Sequence, residues 1–452
     1  MRLLRRTQMK IVFIGTVTFI PIFHYVLLSR SEKDNLHVSD YTKARSRGTG
    51  GIKTAITQRT TTRLNKPQAT ELRAKFFIAF AFGDQLTRAT ESLLALAALA
   101  RYGNRSVAVP FVKDSKFHGT KIDQDTGTLS RYFDLNALNQ KLHSYGYGLL
   151  KEWTDFQQRC NQSLDVLLNV LTLEGDNASN ARLSDSQRQL LKKTGWTPCF
   201  LFVQQTGNRF KGFIINQTIC FDPEIVTSVQ QLESDVLRGS SCVGFVEWRG
   251  VGNGRRCHFP LSSDKVPSPF SVRHEVPFSL TLVQVAQEFA AKQLGNSYIS
   301  VHIRSEWVLR KHESNITYLL DCFRQLSFRI QDAKQKTDLK KIFLATDFSS
   351  YGSESNNVQP AQEKSEMLLK YLDKLLESPH AFDPRTVELS DRGSIAIVEM
   401  NILSAGKKLF LVGGGNFEDW IRDQFEKVGD NVAEKICYWE RPEINSEPGA
   451  VY

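Results

Sequence analysis

The sequence contains no CxxC pair, no Cys/His spacing of the kind a zinc site needs, no G-x-G-x-x-G turn and no lysine-bearing phosphate loop. Zinc modules, dinucleotide-binding turns and P-loop NTPases therefore leave no signature here. Clustered positive charge is also missing from most of the chain. Residues 1–75 hold 15 basic and 4 acidic side chains, leaving 43 and 44 for residues 76–452, so the net +10 of the 452 residues belongs to the N-terminal segment. A nucleic-acid-binding domain needs basic clusters to displace counterions from phosphates, which argues against that class. With 41% apolar and 23% charged residues, disordered and fibrous chains are excluded as well.

What is present begins with an anchor. Arg2, Arg5, Arg6 and Lys10 precede an apolar stretch, Ile11 to Leu28, that reaches the lower limit for crossing a bilayer. It ends in Tyr25, Val26, Leu27, Leu28 without a small-x-small cleavage site, which favours a transmembrane signal-anchor over a signal peptide. The basic flank predicts a cytosolic tail at 1–10 and a type II orientation, with everything beyond the anchor in the lumen. Pro21, His24 and the short span suit a thinner early-secretory bilayer. The expected location is the Golgi membrane, with the endoplasmic reticulum as the alternative.

Residues 29–72 have one aromatic residue, Tyr41, and read as a flexible stem. Five Asn-x-Ser/Thr acceptors, Asn104, Asn161, Asn177, Asn216 and Asn315, agree with a luminal placement. Seven cysteines imply disulfides there, with one or two local pairs expected among the four between 199 and 257. Buried free thiols are the competing reading.

From residue 75 the pattern is α/β. The buried-strand run 75–82, an Ala/Leu-rich helix from Leu86 to Tyr102 stopped at Gly103, and a strand at 106–111 form a βαβ unit with Gly83 at its first turn. A helix at 184–194 and strands at 199–204 and 211–216 follow in an irregular middle. Strands at 297–303, 341–346 and 408–412 alternate with helices near 316–332, 361–378, 394–405 and 417–428. The expectation is two doubly wound, Rossmann-like domains facing a cleft, at 73–270 and 271–435, with a tail at 436–452.

Each C-terminal strand ends in polar residues. VHIRSEW puts His302 and Arg304 on one side of its strand, with Glu306 two further on. Arg304 can grip a phosphate in a two-point fashion, or it can pair with Glu306 or Asp347. Asp347, after FLAT, can accept from a ribose or purine, or it can cap a helix. The third strand runs into Gly413, Gly414, Gly415 and Asn416, a glycine-rich turn whose N–H groups can cradle a phosphate.

Four blocks, FGDQ with its helix and NRSVAVP, YISVHIRSEW, IFLATDFSSYG and AIVEMNILSAGKKLFLVGGGNFEDWI, resemble in order and spacing the GDP-fucose protein O-fucosyltransferase family, closest to the enzymes that fucosylate EGF-like repeats. The resemblance covers about 75–115 and 295–425. It implies a GT-B-like fold with the donor in the C-terminal domain, inversion at the sugar, and no metal or other cofactor. It implies Arg304 as the catalytic residue holding the β-phosphate. Donor-binding roles fall on Gly83, His302, Asp347, Gly414, Gly415, Asn416 and Phe417. Asp84 and Glu306 are acceptor-side candidates. Ala81, Asp84 and Asn416 depart from the family pattern. The EGF-directed members are soluble and carry a retrieval tail, whereas this chain has the anchor and ends GAVY, so retention is expected to rest on anchor and stem. The expected partners are GDP-fucose, a luminal or secreted glycoprotein and, through the anchor, a membrane; nucleic acid is not one. The expected activity moves fucose from GDP-fucose to a Ser/Thr hydroxyl or a glycan. A luminal binding or chaperone protein that keeps the fold without turnover is the alternative.

Overall fold

Two parallel sheets carry the chain, and side-chain alternation explains how each is covered on both faces. The computed structural model describes residues 74–171, 181–201, 205–222, 225–226, 229–248, 269–311, 315–347, 362–428 and 431–438. The expected anchor at 11–28, the stem, Asn177 and Cys257 lie outside them. No helix among the described residues is long and apolar enough to cross a membrane.

The N-terminal elements are β1 (Lys75–Ala79), α1 (Leu86–Tyr102), β2 (Arg105–Ala108), the hairpin of β3 (Phe111–Lys113) and β4 (Lys116–His118), α2 (Leu135–Tyr145), β5 (Leu150–Lys151), β6 (Ser163–Val170), β7 (Phe213–Phe221) and β8 (Cys242–Phe245). They build a sheet in the order β7-β6-β8-β1-β2-β5, parallel throughout, with short antiparallel strands at 196–198, 205–206 and 209–210 beside β7. Period-two alternation along β1 sends Phe77 and Ala79 into one core and Phe76 and Ile78 into another. α1 lies against the first core, where Leu93, Leu94, Leu96 and Leu99 are almost fully buried. Each such leucine contributes roughly 1.5–3 kcal/mol.

The expected strand at 106–111 stops at Ala108, because Pro110 has no N–H for a ladder, and the chain resumes as β3. Gly103 caps α1, but the left-handed residue after the helix is Asn104, with φ 49°. The strand expected at 211–216 starts two residues later and runs on to Phe221, because Lys211 and Gly212 form a turn at positive φ. Of the strand expected at 199–204, Phe200–Leu201 is formed among the described residues. The helix near 184–194 is present as Asp185–Thr194, with a Ser184/Gln187 capping box.

The C-terminal elements are α3 (Leu280–Phe289), β9 (Ile299–Ile303), α4 (Ser305–Lys311), α5 (Ile316–Lys336), β10 (Ile342–Thr346), α6 (Gln362–Leu375), α7 (Arg392–Ser404), β11 (Lys408–Val412), α8 (Asn416–Glu426) and β12 (Glu434–Ile436). The sheet order is β10-β9-β11-β12, all parallel. Ile299, Val301 and Ile303 pack with Leu344, Phe410 and the α5 side chains Phe323 and Leu326. His302 points to the opposite face and sits in register with Ala345 and Leu411, whose core also holds Ile397 of α7 and Trp420 of α8. That same core contains Phe77, Val107 and the α1 leucines, so it is continuous across the expected domain boundary at 270–271.

Six cysteines pair: Cys160–Cys242, Cys199–Cys220 and Cys322–Cys437. Cys199–Cys220 is the local pair the spacing suggested. Cys242 instead reaches back to Cys160, because β8 lies beside β6 and the helix ending at Cys160 immediately precedes β6. Cys437, in the segment expected to be a tail, follows β12 and is bonded to α5.

Candidate active site

The ends of β9, β10 and β11 converge because the three strands are neighbours in one parallel sheet. Just past β9, the Arg304 amide donates to the Val412 carbonyl at 2.8 Å, which extends the ladder by one residue before α4 begins. The Arg304 guanidinium carbon lies 5.5 Å from the Trp307 ring centroid. Gly413, Gly414 and Gly415 take φ of 117°, 114° and 127°, a region closed to most L side chains. A Cβ on Gly415 would collide with Arg304 Nη1, and one on Gly413 would meet the Arg304 carbonyl. The triple glycine therefore lets the backbone pass beside the guanidinium. α8 opens directly from Gly415 without a side-chain cap, so its first N–H groups, those of Asn416 and Phe417 among them, are oriented for an anion.

Asp347 takes the capping role its position allowed, but for the helix after β9 rather than for one that follows it. Oδ1 accepts from the Ser305 amide at 3.1 Å and from the Ser305 hydroxyl, and Oδ2 accepts from the Glu306 amide at 2.8 Å. The carboxylate caps α4 from the neighbouring strand, and the nucleoside role would have to share it. No Arg304–Asp347 ion pair forms among the described residues, since α4 holds that carboxylate. Glu306, the acceptor-side candidate, is fixed at the first turn of α4 by the same contact.

Behind the glycine turn lies a pair that sequence reading did not single out. His302 Nδ1 is 3.1 Å from Glu418 Oε1, and the His302 ring is tilted against Phe417 with centroids 5.2 Å apart. Glu418 is fully buried, which raises its carboxyl above the usual range, while the His302 bond, the Arg304 charge and the Gly414 amide pull the other way. Glu399, on α7, keeps part of its surface exposed, yet desolvation pushes it up to about 7. The hint in the sequence was an acidic residue inside the first turn of a glycine-preceded helix.

The turn after β1 is built otherwise. Gly83 donates its N–H to the Trp248 carbonyl at 3.0 Å, and the Trp248 amide donates to the Ala81 carbonyl at 2.8 Å. The Gly83 amide, expected to face a donor, is committed to this strap. Asp84 is exposed, with φ 72°, and its Oδ1 accepts from the Gln85 amide at 2.9 Å. Ala81 pairs with His118, whose imidazole is shifted down by burial and then by the nearby Lys211, itself lowered by desolvation. These partners come from distant sequence and carry no local signal. The structure thus brings together His302, Arg304, Asp347 and the residues from Gly413 to Phe417; among the described residues no contact joins Gly83 or Asp84 to Arg304.

A second group missed in the sequence ties the two sheets. Arg273, 1% exposed, donates to Glu91 of α1 at 2.7 Å and to Asp423 of α8 at 2.9 Å, and Arg88 also bonds Glu91 at 2.9 Å. No group of three or more His, Cys, Asp or Glu among the described residues could hold a metal ion. Asn104, Asn161, Asn216 and Asn315 are exposed, with Asn161 ending a helix in the left-handed region and Asn315 capping α5.

No family profile and no curated protein sequence matches the chain. Among solved structures, the chain is similar to POFUT1 in complex with GDP at 10% identity, covering 80% of this chain and 99% of that one, with a TM-score of 0.49. POFUT1 in complex with GDP-fucose gives 10%, 82%, 99% and 0.48 in the same order. The fucosyltransferase NodZ from Bradyrhizobium gives 12%, 77%, 92% and 0.38. At these values the likeness carries no argument about function, which rests on the residues above.

Proposed function

We propose that the chain is an inverting, metal-independent fucosyltransferase of GT-B-like architecture, moving fucose from GDP-fucose to a Ser/Thr hydroxyl of a luminal protein or to a glycan. In this reading 271–435 is the donor domain, 73–270 the acceptor side, and 11–28 the anchor that holds both in the Golgi or endoplasmic reticulum. The observation that carries it is the Arg304 guanidinium set against the Gly413–Gly415 turn that opens α8.

A fixed guanidinium and a helix N-terminus supply positive charge where a diphosphate leaves. As the bond from fucose C1 to the β-phosphate oxygen breaks, negative charge grows on that phosphate, and Arg304 and the first amides of α8 meet it without rearranging. The acceptor hydroxyl oxygen forms its new bond to C1 from the opposite face, which inverts the anomeric centre, and its proton passes to solvent. The Arg304 guanidinium lies over the Trp307 ring, a contact that favours the arrangement in which it meets the phosphate. In this reading Arg304 and the α8 amides supply the positive charge that the diphosphate requires.

One observation favours the second reading, a binding protein without turnover. On the acceptor side the Gly83 amide is already bonded and Asp84 places a carboxylate where the family carries an amide. Titrating the purified full-length protein with GDP in the presence of a chelator, then assaying transfer from GDP-fucose to EGF-like and thrombospondin-like acceptors, decides between them. GDP binding with transfer supports the enzyme, GDP binding without transfer to any acceptor or water supports the binding protein, and loss of binding on chelation overturns both.

A further inference from the structure

His302 Nδ1 faces Glu418 Oε1 at 3.1 Å, so its Nε2 lies on the far side of the ring. Glu418 has no exposed surface, and its Oε2 has no hydrogen-bond partner. A fully buried carboxylate with one unsatisfied oxygen is costly unless a charge is held beside it. Glu418 is the third residue of α8 after the Gly415 cap, directly behind the amides offered to a phosphate. Among the described residues, the groups facing the pair are Arg304 from the end of β9, the Gly414 amide from the turn, Glu399 from α7, and Tyr438, beyond β12, whose hydroxyl donates to Asp419 at 2.9 Å. Arg304 is the sole cation among them. An arriving diphosphate would draw on that cation and leave the Glu418 charge less balanced.

We propose that Glu418 is a positioning residue that makes His302 take up a proton when a nucleoside diphosphate seats on the glycine turn, so that the imidazolium is held between Glu418 at Nδ1 and the diphosphate at Nε2. The inference rests on the donor reading above. The balance is simple: Glu418 is ionised before and after, one solvent proton adds to His302 to form an N–H bond, and no other covalent bond changes. The negative charges of the carboxylate and the diphosphate each favour the charged ring, and neither alone holds both its nitrogens as donors. The consequence is a site that binds the departing diphosphate more tightly as pH falls through the neutral range, and that sheds it with release of the proton.

Calorimetry of full-length protein with GDP, in buffers of different ionisation enthalpy at neutral to mildly alkaline pH, reads proton uptake directly. The wild type should take up roughly half to one proton per GDP, the range for an imidazole brought from mostly neutral to charged. Glu418→Gln keeps the side-chain shape and a hydrogen bond but loses the charge; uptake should fall to near zero and GDP should bind about tenfold more weakly, the scale of losing a charge-assisted bond. Glu399→Gln should retain the uptake. Should Glu418→Gln fail to fold, His302→Gln is the second variant and should abolish uptake in the same way. GDP binding without proton uptake in the wild type, equal uptake in the wild type and Glu418→Gln, or uptake lost in Glu399→Gln alone would each overturn this inference and leave the donor reading standing. No GDP binding at any pH overturns the donor reading and the inference with it.

Discussion

The turns that follow β1 and β11 are the same device in two sheets, a parallel strand running into a buried helix, and they are finished with opposite chemistry. After β11, three glycines at positive φ bring the backbone beside Arg304 and leave the amides of α8 uncovered by any side-chain cap. After β1, the one glycine gives its amide to Trp248, and the exposed residue at positive φ is an aspartate. The first turn attracts an anion and the second repels one. Topology alone would assign both strand ends as ligand sites, and both helices open without a side-chain cap; what separates them is the Arg304 guanidinium beside one turn and the exposed Asp84 carboxylate at the other. Under the proposed function, this contrast is the reason for assigning the donor to the second sheet.

The contrast can be broken at the seam that holds the sheets together. Arg273→Met removes the cation that Glu91 and Asp423 share and leaves Glu91 with Arg88 and Asp423 with Arg422, so the loss should be about 3 kcal/mol, the low end for removing one partner of a buried pair. Urea unfolding followed by fluorescence measures it, and a loss under about 1 kcal/mol would mean that Arg88 and Arg422 suffice to hold the two carboxylates. A separate, lower-stability transition of one half alone would show instead that the continuous core does not couple the sheets.

Arg304→Lys should lower turnover by about 100-fold or more, the scale of removing one preorganised donor to a developing anion, while the melting temperature stays close to the wild type. If Arg304 served only as a structural partner at the sheet edge, Lys would keep most of the activity. Gly415→Ala tests the turn itself. At φ 127° and ψ 177°, a region essentially reserved for glycine, the substitution should cost on the order of 1–3 kcal/mol. The added methyl group should also displace the Arg304 tip and weaken GDP about tenfold, since a charge-assisted contact is lost. Unaltered GDP affinity in a folded Gly415→Ala protein would remove the turn from the donor site.

The smallest effect concerns pH at the same seam. Glu275 accepts from Lys141 and from the Tyr145 hydroxyl of α2, each at 2.9 Å, and lies 3.9 Å from Lys427. The Lys141 hydrogen bond, then that of Tyr145, lowers its carboxyl to about 2. A depressed carboxyl stabilises the fold above the ordinary carboxylate range, and the contribution is lost as pH falls toward that lowered value. The group is partly exposed and screened, so Glu275→Gln should cost under about 1 kcal/mol at pH 7. The gap between variant and wild type should close as unfolding is repeated at successively lower pH, and a gap that persists below the carboxylate range would mean the loss is packing rather than charge.

Much of the second sheet was legible in its residues. SYISVHI, KIFLAT and KLFLV are continuous apolar runs, which only a strand covered on both faces accommodates, and they became β9, β10 and β11 within two residues of the expected bounds. The Gly413–Gly415 run announced a backbone that no other residue could follow. The middle of the chain was harder, because short antiparallel strands such as 205–206 and 209–210 have too few residues to show a period. Asp347 shows why a strand-end carboxylate is ambiguous: its sequence neighbourhood allowed a ligand or a cap, and the helix it caps begins 42 residues earlier.

The sequence by itself determined that strands would be buried, where the helices between them would lie, and that a guanidinium and a glycine turn would stand at strand ends, because hydrophobic periodicity and backbone permissiveness are local properties. Only the tertiary structure decided which groups would share a proton or a charge. Glu418 against His302, Arg273 between Glu91 and Asp423, and Trp248 across Gly83 each join residues far apart in the chain. Their energies arise from desolvation and strand order, and neither exists until the two sheets have closed on one core.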